Sequence, residues 1–69
     1  MERESVFSSN LVSVGYDPAS ETLEIEFNSG SVYQYYGVPS GIYDALMAAS
    51  SKGQFFASQI KDAFPFARV

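Results

Sequence analysis

Residues 22–27 read "TLEIEF", so that Leu23, Ile25 and Phe27 alternate with Glu24 and Glu26. In an extended chain successive side chains point to opposite faces, which gives this run one apolar face and one acidic face. The pattern calls for an antiparallel sheet packed on a core on one side and wetted on the other. Upstream, "LVSVGY" (11–16) alternates as well, with Val12, Val14 and Tyr16 on one face and Leu11, Ser13 and Gly15 on the other. Between the two runs "DPAS" reads as a type I turn, because Pro18 presets φ at the second turn position. Downstream of "NSG", the run "SVYQYY" (31–36) supplies a third strand.

The register of the second hairpin decides what the tyrosines do. With a two-residue loop, Ser29-Gly30, Ile25 faces Gln34, and Tyr33 and Tyr35 lie beside the glutamates. With a three-residue loop, Asn28-Ser29-Gly30, Gly30 takes a left-handed position, Ile25 faces Tyr33 and Leu23 faces Tyr35. Gln34 then joins Glu24 and Glu26 on the wet side. A one-residue slip exchanges the faces, so the apolar pattern selects the three-residue loop. Tyr33 and Tyr35 are thereby core residues whose hydroxyls reach a rim, while Val32 and Tyr36 are the more exposed pair. The competing reading has the aromatics stack bases on an open sheet.

After "GVP" the period lengthens to that of a helix. "SGIYDALMAAS" (40–50) starts at Pro39 or Ser40, with Asp44 toward the positive end of the dipole. Ile42, Leu46 and Ala49 form its inward row, and Tyr43 and Met47 form a second apolar row. Ser51 and Gln54 have the spacing of a capping box, which opens a second helix through "QFFASQIKDA". That helix buries Phe56, Ile60 and Ala63, Pro65 closes it, and "FPF" folds back over the core. The expected fold is α+β: a three-stranded antiparallel β-meander followed by two α-helices packed on one face. Its core comprises Leu23, Ile25, Phe27, Tyr33, Tyr35, Leu46, Phe56 and Ile60. A chain of 69 residues makes a single domain (1–69, core about 5–66).

Chains this short often need a staple. With no Cys and no His, disulfides and thiolate or imidazole metal sites are excluded. Six Phe and five Tyr supply buried area instead. The formal net charge is −4, unevenly spread. Residues 1–37 hold six acids and only Arg3 as a base, whereas the rest hold Asp44 and Asp62 against Lys52, Lys61 and Arg68. Four bases cannot make the dense basic surface of a general nucleic-acid binder, so any such contact is local. No run approaches the roughly 18 apolar residues of a membrane span. "MERESVF" lacks the order of a signal peptide, so a cytoplasmic location is expected.

Several short motifs recur together: "SSN" (8–10), "GYD" (15–17), "LEIEF" followed by Gly30, Tyr33-x-Tyr35 and Val38-Pro39. Tyr43, Ser51-x-Gly53, Phe55-Phe56 and Ile60-Lys61 follow in order. In their order and spacing over about residues 5–66 they resemble the KTSC domain. That short module stands alone in bacterial and phage proteins and is named for the C-terminus of some lysyl-tRNA synthetases. The resemblance implies a fold more than a function: the family has no established activity, and its synthetase connection suggests RNA binding. Ala57 departs from it, since similar chains carry Asn there.

Catalysis has little to work with. A nucleophile would have to be Ser, Lys or a carboxylate activated by burial. Glu24 and Glu26 read as a solvated sheet face, and no enzyme activity or cofactor is expected. "SSKG" is the best binding candidate, because Ser51, Lys52 and Gly53 at a helix start can offer amides and charge to an anion. Ordinary capping, with Gly53 easing the turn, explains the same residues. Lys61, Arg68 and the hydroxyls of Tyr33 and Tyr35 complete the candidate site. Two readings stand: a small RNA-binding accessory module that binds at the helix junction, and a protein-interaction or weakly homodimerising module using Tyr43 and Met47.

Overall fold

Two strands join the meander at its ends. The structure, a computed structural model, describes all 69 residues. It runs β1 (Glu4–Ser5), β2 (Leu11–Asp17), β3 (Thr22–Phe27), β4 (Val32–Tyr35), α1 (Ser40–Ala48), α2 (Lys52–Gln59) and β5 (Phe66–Arg68). The sheet has five antiparallel strands in the order β1-β2-β3-β4-β5. The expected three-stranded sheet is thus its centre, and β1 and β5 correct the count. Both are too short for any periodicity to register. They exist because the free edges of β2 and β4 offer backbone partners to whatever chain lies beside them.

The central register is the one the three-residue loop requires. Leu23 pairs with Tyr35, Ile25 with Tyr33 and Glu24 with Gln34. Gly30 has φ of 90°, a region closed to most side chains, and its N–H donates to the Phe27 carbonyl at 2.9 Å. In β2 the alternation is broken. Leu11 pairs with Phe27 and Ser13 with Glu26, leaving Val12 as the extra residue of a bulge. Leu11 therefore turns into the core beside Val14, and Val12, expected on that face, is 38% exposed.

The core is Leu11, Val14, Leu23, Ile25, Tyr35, Val38, Leu46, Phe56 and Ile60. Phe27 and Tyr33, expected among these, are partly buried and packed against them. Both helices contribute to this one cluster, which places them on the inner face of the sheet. α1 begins after Pro39, whose carbonyl accepts from the Ile42 N–H at 3.0 Å, and Asp44 lies beyond its first turn. α2 is shorter than its pattern. At Ile60 φ and ψ become −120° and −46°, and the N–H groups of Ile60 and Lys61 both converge on the Phe56 carbonyl. Ala63, expected to be buried, is therefore exposed in the turn that follows.

The outer face is drier than its alternation predicts. Glu24, Glu26 and Gln34 do share it, but the N-terminal segment crosses it. A Cβ on Gly15 would lie 2.5 Å from the Glu2 carbonyl oxygen and 3.0 Å from Arg3 Cγ. Only a glycine lets the segment lie so close. Arg3 pairs with Glu24, donates from Nε to Ser13 Oγ at 2.9 Å and reaches Glu26 at 3.8 Å. Gln34 Nε2 donates to the other Glu24 oxygen at 2.8 Å. Glu24 is consequently buried rather than wet.

Candidate functional site

Sheet register and helix placement together leave an open cleft of about 620 Å³ at the hairpin-tip end of the inner face. Its size falls within the roughly 300–1,000 Å³ typical of ligand sites. Period 2 puts Tyr33 and Tyr35 on the same face of β4, and pairing with β5 sets Phe66 opposite Tyr35. Phe27 comes from β3 and Phe56 from α2. The rings interlock edge to face: Phe27 and Phe56 lie 5.3 Å apart at 67°, and Tyr35 and Phe56 lie 5.4 Å apart at 76°. Phe66 leans on Tyr35 at 5.6 Å and on Tyr33 at 5.9 Å. Such packing orients the rings firmly, which makes the walls preformed.

Polar groups sit at the rim: Asn10, Asn28, Lys61 and Asp62. Two tyrosine hydroxyls are committed to the fold, Tyr16 to the Val38 carbonyl at 2.5 Å and Tyr36 to Gln34 at 3.1 Å. Those of Tyr33 and Tyr35 are not. Tyr35 lines the cleft and is 4% exposed, and because no fully buried side-chain polar atom lacks a partner, its hydroxyl keeps some access to solvent. Burial, and then the neighbouring Tyr33, push the Tyr35 phenol above its ordinary value. It stays protonated at neutral pH and can donate a hydrogen bond as well as accept one.

Of the residues singled out from sequence, the cleft brings together Tyr33, Tyr35, Gly53 and Lys61. Arg68 pairs with Tyr33 across the ladder and lies on the same sheet face, just outside the cleft. Ser51 and Lys52 are elsewhere, in a second, smaller cavity of about 370 Å³ with Phe7, Ser8, Ser9 and Ser50. There both serve the fold. Ser51 Oγ accepts from the Gln54 N–H at 3.3 Å, and Lys52 Nζ donates to the Ala49 carbonyl at 3.3 Å, closing the end of α1. Tyr43 is also engaged, stacked on Tyr16 at 4.8 Å and 9°, so the second row of α1 does not stand open.

Sequence reasoning missed Asn10, Asn28 and Phe66 as lining residues. Asn10 carried a signal: a Cβ on Gly53 would sit 3.2 Å from its Nδ2, so "SSN" and "SKG" are two halves of one contact. Ala57, the position that departs from the KTSC pattern, also lines the cleft. No three His, Cys, Asp or Glu side chains come together as a metal site. No helix is long and apolar enough to cross a membrane.

Comparison with known proteins matches the KTSC domain family over residues 7–64. An uncharacterised protein of Stutzerimonas stutzeri is 44% identical over 61 residues, covering 88% of this chain and 86% of that one. A lysine–tRNA ligase of Nostoc sp. is 43% identical over 54 residues, which is 78% of this chain but 10% of the ligase. The crystal structure of a KTSC domain protein from Yersinia pestis superposes with a TM-score of 0.96 at 43% identity, covering 99% and 96% of the two chains.

Proposed function

The chain belongs to the KTSC domain family, and from that premise we propose that it is a non-enzymatic accessory module that holds single-stranded RNA in the aromatic cleft. The observation that carries this reading is the pairing of preformed aromatic walls with two uncommitted phenol hydroxyls and Lys61 at the rim. Bases stack on aromatic rings with little regard to sequence, at about 1–3 kcal/mol per base. Hydroxyls and amides at a rim suit base edges and sugar oxygens. Lys61, which lines the cleft, and Arg68, opposite Tyr33 in the ladder, supply the positive charge that phosphates would meet. The ligase relatives act on tRNA by name, and a segment spanning a tenth of such a protein is well suited to an accessory role.

The outer face is a poor alternative platform. Its glutamates are tied to Arg3, and the N-terminal segment lies over it. The helix junction, first choice from sequence, uses Ser51 and Lys52 for capping. A non-enzymatic role fits side chains that are either clamped, as Glu24 is, or held neutral, as Tyr35 is.

Short single-stranded RNA titrated at several salt concentrations tests the site. Lys61→Ala and Arg68→Ala should each weaken binding severalfold and reduce the salt slope by about one unit for each phosphate no longer neutralised. Lys52→Ala should leave both unchanged. Equal weakening by Lys52→Ala and Lys61→Ala would return the site to the helix junction. Absence of binding at about 50 mM salt, where phosphate interactions are strong, would end the RNA reading.

A further inference from the structure

We propose that two copies of this chain join their sheets edge to edge through β5, antiparallel, with Phe66 of each copy opposite Arg68 of the other. Backbone parity along β5 defines the edge. Tyr36 N–H donates to the Pro65 carbonyl at 2.9 Å, and Val69 N–H donates to the Val32 carbonyl at 2.9 Å. Residues 65, 67 and 69 therefore turn their backbone groups toward β4, and Gln34–Ala67 is the hydrogen-bonded pair. Phe66 and Arg68 form the alternate pairs with Tyr35 and Tyr33, so their N–H and C=O groups point away from the sheet. An edge with unpaired groups is a template for another strand.

The occupant follows from self-complementarity. Antiparallel pairing of β5 with itself, centred on Ala67, sets Phe66 against Arg68 of the second copy, and symmetry repeats the pair. Each pair exchanges both of its backbone hydrogen bonds. On the cleft side, the guanidinium of one copy meets the ring of the other, a favourable cation–aromatic contact. Pro65 does not obstruct, because it faces β4. The small side chains of Ala67 meet at the centre without crowding. The opposite edge is guarded: β1 carries Glu4, with Glu2 beside it, and a copy approaching there meets like charge. The β5 strand itself holds no acid. Phe66 is 57% exposed and Val69 62%, so both have apolar surface to bury. This pairing is independent of the RNA reading, although it would bring a second arginine beside each cleft.

A three-residue strand makes a small interface, so the association is weak. In sedimentation the average mass should climb toward twice that of the chain between about 10 µM and about 1 mM. Higher salt should promote it, because each copy carries a net charge of −4 and screening relieves the repulsion. That is opposite in sign to RNA binding. Arg68→Pro removes an outward N–H without touching the bonds to β4, and should abolish association while the circular dichroism is unchanged. Phe66→Lys should do the same by opposing like charges. The double variant Phe66→Lys with Arg68→Glu should restore association, since the introduced charges then face each other. A chain that remains monomeric at about 1 mM overturns the proposal. So does a dimer that survives both single substitutions. An edge that takes up an extended acidic peptide while the chain stays monomeric would also overturn it.

Discussion

Gly15→Val should destabilise the fold by about 2–3 kcal/mol, combining overpacking with release of the N-terminal segment from the sheet. Valine is the better strand former, and it restricts the unfolded chain, so propensity alone would predict a gain of about 0.4–1 kcal/mol. The sign reverses because a Cβ at position 15 lies 2.5 Å from a backbone oxygen, not from the end of a flexible side chain. The N-terminal segment must lift. When it does, Arg3 leaves Glu24, and β1 loses its pairing with Val14 and Ser13. Urea denaturation measures the effect. A double-mutant cycle identifies its cause: Arg3→Ala should cost much less in the Gly15→Val background than alone. Additive effects would mean that the segment stays in place and the strain is elsewhere.

Arg3→Ala by itself should cost about 2 kcal/mol at neutral pH, because it leaves a buried carboxylate with a charged partner removed. Burial pushes the Glu24 carboxyl up. The hydrogen bonds from Gln34 and Arg3, the charge of Arg3 and that of the N-terminus outweigh this and hold it below the usual carboxylate range. A carboxyl depressed in the folded state contributes stability that is fully present above its unfolded pKa, about 4.3. That contribution disappears as pH falls through the lower folded value. The gap between wild type and Arg3→Ala should therefore be widest near pH 7 and close progressively below about pH 4. Denaturation curves at several pH values check it. A gap that stays constant to low pH would show that Arg3 acts by packing alone.

These two residues also mark what the sequence could and could not convey. The central hairpin was legible because two local signals agreed, a glycine where φ must be positive and an apolar alternation that only one register satisfies. The bulge at Val12 was not, since "LVSVGY" alternates acceptably without it and the preference for Leu11 arises only against Phe27. The arginine clamp joins residues 3 and 24, a pairing invisible to any window of sequence, so a buried glutamate reads as a wet one. Of the candidate site, the tyrosines could be placed from register alone. Phe66 and Asn10 could not, because the cleft forms only where the hairpin tip, α2 and β5 meet. Ser51 and Lys52 attract attention through a motif whose structural meaning, helix capping, is sufficient.

The plain strand order has a kinetic consequence. Every ladder from β1 to β4 joins neighbours through a tight connection, and such pairings form early because little chain entropy is given up in closing them. The pairing of β5 with β4 is different, for it must enclose both helices. That closure waits on helix docking, which makes β5 the last piece to lock and the first to loosen. In hydrogen exchange the amides of Ala67 and Val69 should open well before those of Gly15 and Ile25. Phe66, a wall of the cleft and the outermost ring of the sheet, thus belongs to the least durable part of the molecule.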